Sequence, residues 1–134
     1  MAGSITLDEA QRILTAGVAR AKKIKQPMNI AVVDDGGHLV AFVRMDGAIK
    51  ASIDISTRKA KTSILMNMPT GALSEVTQPG QELYGLEATA GGMVTFGGGV
   101  LLQKGDEVVG AVGVSAGSVA QDVEVAEAAA DALA

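Results

Sequence analysis

Apolar residues near the start of the chain recur every three to four positions, which predicts an amphipathic helix. The repeat consists of Leu7, Ala10, Leu14, Val18, Ala21 and Ile24. Thr6 and Glu9 form a T-x-x-E capping box at the beginning of this repeat, and Pro27 follows its end. We therefore expect the chain to open with a helix that presents this apolar stripe to the core.

Two β-rich runs and a second helix follow. The runs Asn29–Val33 and Leu39–Arg44 are separated by a glycine-containing segment, residues 34–38, so they predict a hairpin. A helix is predicted from about Ala48 to Asn67, and Pro69 ends it. Its apolar side is formed by Ile49, Ile53, Ala60 and Ile64.

The second half of the chain predicts three more strands and a last helix. Thr70–Gly92 has no strong period and is expected to form a short helix and a long loop. Strands are predicted at Met93–Phe96, Val100–Gln103 and Glu107–Val114, and Ser118 begins the last helix with an S-x-x-Q capping box. No linker interrupts residues 1–134, so we expect one α/β (α+β) domain with a five-stranded antiparallel sheet flanked by helices.

Composition narrows the classes of function. Hydrophobic residues make up 48% of the chain but aromatic residues only 2%, so aliphatic side chains and methionine must form the core. The net charge of −4 argues against nucleic acid as the main partner. The absence of cysteine and the single histidine exclude disulfides, thiolate metal sites and a multi-histidine site within one subunit. No apolar run approaches the roughly 20 residues of a membrane span, and no signal peptide is visible, so a cytoplasmic protein is expected.

One motif points to a serine nucleophile. Gly113–Gly117 matches G-x-S-x-G between a predicted strand and a predicted helix, which is the setting of a nucleophile elbow. A serine nucleophile also needs a base, and the only histidine, His38, lies far upstream. Hydrolases with this elbow place histidine after serine and are much longer. We therefore interpret Ser115 and its glycines as a tight turn before a donor-rich helix start.

Four motifs, taken in order, resemble the GlcG/HbpS family, also described as the DUF336 or haem-binding-protein-like family. They are the AVVDDGGHLVAFVRMDGA hairpin, the RKAKT stretch, the run Gly97–Val100 and the segment VVGAVGVSAGSVAQD. The resemblance covers nearly the whole chain and implies a profilin-like sandwich that forms homo-oligomers. It also implies a small ligand, since members have been linked to haem, to a corrinoid adenosyltransferase and to glycolate or diol metabolism. The chain departs from many relatives at Leu101, where they carry proline, and at Ala116, where they carry glycine.

Haem, or a related tetrapyrrole, is the leading ligand that the resemblance implies. A haem site needs an apolar slot, cations for the propionates and usually an axial ligand. His38 is the candidate axial ligand of the iron, although a histidine at a hairpin turn is also typical of an exposed residue. The other predicted ligand-binding residues are Arg44, Lys59, Tyr84, Gly98, Gly99, Ser115 and Gly117. The scarcity of aromatic residues weighs against a haem pocket.

A cofactor-independent enzyme is the alternative, so the sequence leaves open whether the chain is catalytic. Arg44 and Lys59 would hold a small carboxylate-bearing or polyketide-like substrate, and Asp34, Asp46 or His38 would transfer a proton in a tautomerase, isomerase or lyase reaction. Local roles compete with this hypothesis: Asp34 would close an Asx turn and Arg44 would pair with Asp46. An oligomeric scaffold without chemistry is the third hypothesis.

Overall fold

The structure, a computed structural model, describes residues 3–133. The helices are α1 (Leu7–Lys23), α2 (Ala51–Met66) and α3 (Val119–Asp131). The strands are β1 (Asn29–Asp34), β2 (Leu39–Arg44), β3 (Gly99–Lys104) and β4 (Glu107–Ser115). Three short 3-10 turns lie between α2 and β3, at Thr70–Leu73, Glu75–Thr77 and Leu86–Ala88. Within the described residues, no helix is both long and apolar enough to cross a bilayer.

The four strands form one antiparallel sheet in the order β2-β1-β4-β3, so β2 and β3 are its edges. Alternate residues of a strand point to opposite faces of a sheet. On one face, Ile30, Val112 and Val114 pack in a buried cluster with residues of α1 and α3. On the other face, α2 packs on β4 through Ala60 and Ala111. The α+β class is therefore confirmed, whereas the profilin-like label remains a prediction.

The fifth predicted strand, Met93–Phe96, is wrong. Residues 93–96 belong to no strand, and the first two backbone donors of the segment are used outside any sheet ladder. The Met93 N–H donates to the Glu87 carbonyl, and the Val94 N–H donates to the Thr62 hydroxyl on α2. Because these donors are already satisfied, the segment has no need of a neighbouring strand. It covers the end of α2 instead of extending the sheet.

Helix α1 is turned relative to the predicted stripe. Both predicted capping boxes are present, at Thr6 with Glu9 and at Ser118 with Gln121. The buried row of α1, however, is formed by Ala10, Ile13, Gly17 and Ala21. The predicted stripe residues Leu14 and Val18 are only half-buried, and Leu7 is exposed. The predicted helix is confirmed, and Ala10 and Ala21 of the predicted stripe are buried, but Ile13 and Gly17 complete the core-facing row in place of Leu14 and Val18.

Helix α2 buries small and polar side chains and leaves large apolar ones outside. Ile49, just before it, and Ile53 are exposed, whereas Ala60 is buried and Ile64 half-buried, so only the second half of the predicted apolar side faces the core. The buried residues of the helix are Ser52, Ser56, Lys59, Ala60, Thr62 and Ser63. Gly113 of β4 explains this choice, because a Cβ there would overlap the Ser56 carbonyl oxygen and lie 2.6 Å from the Ala60 nitrogen. The helix and the strand approach so closely that only short side chains fit between them.

Candidate functional site

An open groove of about 760 Å³ runs between α1 and the edge strand β2. Residues one helical turn apart on one side of α1 form its first wall, and β2 forms the second. The lining residues are Gln11, Leu14, Thr15, Val18, Ala19, Lys22, Phe42 and Val43. Ligand sites typically have volumes of about 300–1,000 Å³ and largely apolar walls, so this groove has the size and character of a small-molecule site.

Gly17 accounts for the position of the groove. A Cβ at Gly17 would lie 2.8 Å from Cδ1 of Ile30 on β1 and 3.3 Å from Cβ of Ala129 on α3. The missing side chain therefore lets α1 settle closely against β1 and α3. Leu14 and Val18, which flank Gly17 on the same helix, are then left half-buried beside the edge strand. The groove is a consequence of this tight packing.

Among the described residues, Lys22 is the one charged side chain that lines the groove, and it is exposed. Among residues 3–133, Lys22 has no ion-pair partner. An unpaired ammonium group at the border of an apolar surface is suited to a carboxylate whose remaining atoms are apolar. Gln11 adds an amide to the same wall. The groove therefore fits an amphipathic anion better than a uniformly polar one.

A smaller hollow of about 310 Å³ lies where β2 runs into α2. Its lining residues are Arg44, Met45, Asp46, Gly47, Ala48 and Lys50. Arg44 and Lys50 have no ion-pair partner among the described residues, so the predicted pairing of Arg44 with Asp46 is wrong. The structure thus brings together two of the predicted site residues, Arg44 and Asp46, and adds a second cation, Lys50.

Lys59 lies elsewhere, in a fully buried ion pair. Its Nζ donates to Oδ2 of Asp122 at 2.9 Å and to the Val114 carbonyl at 2.8 Å, and it lies 4.9 Å from the centroid of the Phe96 ring. The other carboxylate oxygen of Asp122 accepts the Gly117 N–H at 3.0 Å. Lys59 is 0% exposed and Asp122 2%. This pair ties α2 to the start of α3 across the end of β4.

Burial acts on both members of this pair. Loss of water around the carboxyl group raises the pKa of Asp122, and the hydrogen bond from Lys59 opposes that rise. Loss of water likewise lowers the pKa of Lys59, and Asp122 opposes the fall. Each group therefore depends on its partner to stay charged. In this arrangement two of the three Nζ hydrogens of Lys59 have acceptors inside the protein, and the side chain is closed off from solvent.

Two predicted ligand-binding glycines enclose Lys59. A Cβ at Gly98 would lie 2.5 Å from the Val114 oxygen and 2.6 Å from Nζ of Lys59. A Cβ at Gly99 would lie 2.5 Å from the carbonyl oxygen of Lys59. The structure thus places the glycine run around the lysine side chain, where it lets the backbone close over the buried cation.

The predicted turn residues after β4 have internal partners as well. Ser115 is 4% exposed, and its hydroxyl donates to the Ser52 hydroxyl at 2.9 Å. The Gly117 N–H is taken by Asp122. Their predicted ligand contacts would therefore require these hydrogen bonds to be replaced.

Asp34 and His38 lie at the opposite end of the hairpin from Arg44. Arg44 faces Asn29 in the register, so Asp34 is five residues further along β1, or about 17 Å away at about 3.3 Å per residue. Oδ1 of Asp34 accepts the N–H groups of Gly36 and His38, which closes the predicted Asx turn, and the His38 N–H lowers the pKa of Asp34 most. The structure therefore does not assemble the predicted proton-transfer residues with the predicted anion binders.

The candidate iron ligands are at the surface. The His38 side chain is 82% exposed, and its Nδ1 lies 3.3 Å from Asp34. Tyr84 is 65% exposed, in the segment that precedes the Leu86–Ala88 turn. Neither residue lines the groove.

Sequence patterns missed the groove, although one signal was present. Leu14 and Val18 fit the apolar stripe of α1 and were therefore expected in the core. Phe42 and Val43 belong to a run with consecutive apolar residues on an edge strand, which indicates that both faces of that strand meet apolar surroundings. The consecutive apolar residues of β2 therefore indicated, in the sequence itself, that this edge strand contacts an apolar partner on each face.

Comparisons with known proteins agree on one family. A family model described as haem degrading protein HbpS-like matches residues 5–131. An uncharacterised 15.0 kDa protein from the dhaT-dhaS intergenic region of Citrobacter freundii is 42% identical over 129 residues, which cover 96% of this chain and 91% of the relative.

Two solved structures are also very similar. The crystal structure of Klebsiella pneumoniae protein ORFY, of the DUF336 family, has a TM-score of 0.96 and 38% identity, with 99% of this chain and 92% of that chain covered. The crystal structure of a PduOC–haem complex has a TM-score of 0.91 and 36% identity, with 96% and 94% covered.

Proposed function

This chain belongs to the HbpS-like family, and from that membership we propose that it binds haem or a related tetrapyrrole. The observation that carries the proposal is the groove between α1 and β2, which combines an apolar surface with an unpaired cation. A tetrapyrrole has the matching chemistry, since it is a flat apolar ring with carboxylates at its edge. The structure of a related protein with haem bound supports the same ligand class.

The groove residues fit the ring and its carboxylates. Leu14, Val18 and Phe42 would contact the ring, and Lys22 would pair with a propionate. When bound, haem would supply the redox chemistry of its iron. The residues of this chain would bind the ring, orient it and exclude water from one of its faces. In this proposal Lys59, Gly98 and Gly99 support the fold instead of the ligand, because the Lys59 ammonium, the Gly98 carbonyl and the Gly99 N–H each have a partner inside the protein.

Titration with haemin, followed by absorbance, tests this proposal. We expect a saturable Soret shift with a Kd of about 1 μM or lower, corresponding to about −8 kcal/mol. Val18→Glu should weaken binding at least about tenfold, because the apolar ring would have to desolvate a carboxylate. Ile53→Glu is the matched control, since Ile53 is an exposed apolar residue on α2, outside the groove. Equal affinity of the Val18 and Ile53 variants would contradict a site in the groove.

The hollow beside Arg44 favours a second candidate function, the binding of a small carboxylate. Arg44 and Lys50 supply two unpaired cations at its wall, and Asp46 lies between them in the sequence as a group that can accept a proton. Of the residues named in the enzyme hypothesis, Arg44 and Asp46 line the hollow, whereas Asp34, His38 and Lys59 lie outside it. Substrate and reaction type are therefore proposed only as a class: proton transfer on a small oxygenated acid.

Arg44→Ala tests the second candidate. The variant should lose at least about tenfold in affinity for glycolate or pyruvate, the two probes, because a charge-assisted hydrogen bond contributes about 1.5–3 kcal/mol. Saturation-transfer NMR measures this binding without assuming a reaction. Arg12→Ala is the control, as Arg12 is an exposed arginine on α1 outside the hollow. If both variants bind the probes as the parent protein does, Arg44 has no role in anion binding.

We also propose that this chain forms homo-oligomers. Tyr84, Phe96 and Val119 are apolar or aromatic and 65%, 40% and 48% exposed, respectively. Apolar residues that form a contiguous exposed patch are typical of subunit contacts, and Val119 lies beside Gly97, the neighbour of Phe96. The scaffold hypothesis rests on the same residues and needs no ligand.

A further inference from the structure

The groove offers a ring-binding surface without an iron ligand. Haem proteins hold their iron with histidine, methionine, tyrosine or cysteine side chains. None of these residue types is among the eight that line the groove. We infer that this chain recognises the ring and the carboxylates of a tetrapyrrole and supplies no side-chain ligand to the iron, an inference that rests on the proposed function.

His38 is the one histidine, and its position argues against ligation in the groove. It lies at the turn between β1 and β2, four residues before Phe42, the nearest groove residue along the chain. Its Nδ1 lies 3.3 Å from Oδ1 of Asp34, which leaves Nε2 as the nitrogen that could bind a metal. Because His38 does not line the groove, a ring seated on Leu14, Val18 and Phe42 has no imidazole in its wall.

The other candidate ligands are also displaced or engaged. Met45 lies beyond Lys22, in the next hollow along the surface, and its sulfur accepts the Met28 N–H at 3.4 Å. Met28 itself is fully buried. Tyr84 is not among the lining residues of the groove. Among the described residues, those that line the groove can recognise the flat apolar ring and the anionic edge of a ligand, and none of them is a usual ligand of iron.

This recognition predicts that the metal is dispensable. Apolar contact with Leu14, Val18 and Phe42 and the charge of Lys22 are the same for haem and for the metal-free ring. Iron ligation, in contrast, would add a bond that only haem can make. The comparison of the two ligands therefore separates recognition of the ring from recognition of the metal.

The experiment is a pair of titrations on the full chain, one with haemin and one with iron-free protoporphyrin IX. We expect the two Kd values to agree within about threefold. Lys22→Glu should weaken both ligands by about fivefold or more, through lost attraction and added repulsion. His38→Ala should change neither the Kd values nor the absorption spectrum of bound haemin. Loss of a histidine ligand from the iron would change that spectrum even if the Kd stayed the same, so the spectrum tests ligation separately from affinity.

Each result decides the inference. Binding of haemin at least about tenfold tighter than that of protoporphyrin, or a changed haemin spectrum in His38→Ala, overturns it while leaving the proposed haem binding intact. Saturable binding of neither ligand overturns the proposed function and the inference together. Equal binding that survives His38→Ala and weakens in Lys22→Glu supports both.

Discussion

Replacement of Lys59 by alanine is expected to lower the free energy of unfolding by about 3–5 kcal/mol. Among the described residues, Lys59 is the one cation paired with Asp122, a carboxylate that is 2% exposed, so the substitution leaves a buried charge with backbone donors but no counter-charge. It also removes a donor to the Val114 carbonyl and a side chain that fills the space behind Phe96. Urea denaturation at neutral pH, with far-UV circular dichroism as the signal, measures the change.

The destabilisation should depend on pH in a defined direction. Without Lys59, burial raises the pKa of Asp122 in the folded state further above its value in the unfolded chain. A group whose pKa is raised on folding binds its proton more tightly in the folded state, so stability falls as pH rises from the unfolded to the folded pKa. Lys59→Ala should therefore lose less stability at pH 4 than at pH 7.

The double variant Lys59→Ala with Asp122→Asn provides the control. It removes the unpaired charge and keeps an oxygen that can accept the Gly117 N–H, so it should be more stable at pH 7 than Lys59→Ala alone. Its stability should also change little between the two pH values. If Lys59→Ala lowers the free energy of unfolding by less than about 1 kcal/mol, the effect is that expected for an exposed ion pair, and the buried geometry is contradicted.

Gly113→Ala is expected to lower the free energy of unfolding by about 3 kcal/mol, the upper end of the range for overpacking. The added methyl group would meet backbone atoms of α2, the Ser56 oxygen and the Ala60 nitrogen, which cannot move aside as a flexible side chain can. The helix would have to shift away from β4, which would also disturb Lys59. Thermal unfolding measures the effect.

Gly71→Ala is the matched control for that substitution. A Cβ at Gly71 would lie 3.6 Å from its nearest neighbour, the Gly97 Cα, which is ordinary contact. Its backbone needs no left-handed conformation, so the variant should differ from the parent protein by at most about 1 kcal/mol. Equal stability of the Gly71 and Gly113 variants would mean that α2 and β4 are not as close as the structure shows.

Local signals explain why most elements could be predicted. The capping boxes at Thr6 and Ser118 determine where α1 and α3 begin, and both depend on contacts within four residues. The β1–β2 hairpin likewise follows from a short turn between two β-rich runs. In contrast, Met93–Phe96 has the composition of a strand, and only its distant partners Glu87 and Thr62 show otherwise.

The face that α2 buries could be predicted only in part: Ala60 and Ile64 pack on the core as expected, but close packing overrides the periodicity at Ile53. A helix normally turns its apolar side toward the core. Here the glycine at 113 brings the strand so near that serine and alanine fit where isoleucine cannot, and Ile53 is left outside. The ion pair between Lys59 and Asp122, 63 residues apart in the chain, was likewise invisible to motif spacing.

The candidate site was hidden for a related reason. Most of the predicted site residues come from the family motifs. Several of them make internal contacts that hold the fold together, among them Lys59, Gly98 and Ser115. Of the groove residues, only Phe42 and Val43 belong to a motif, the hairpin, and the residues of α1 belong to none. The two walls meet because Gly17 lets α1 pack closely on α3, which leaves Leu14 and Val18 beside β2.

An NMR titration with haemin tests most directly whether the groove between α1 and β2 binds a tetrapyrrole. Ferric iron broadens the amide signals of residues near it, so the broadened set locates the ring without any mutation. We predict that broadening is saturable and centred on residues 11–22 of α1 and 42–43 of β2. Broadening centred on His38, on Tyr84 or around Phe96, with α1 unaffected, would contradict the account.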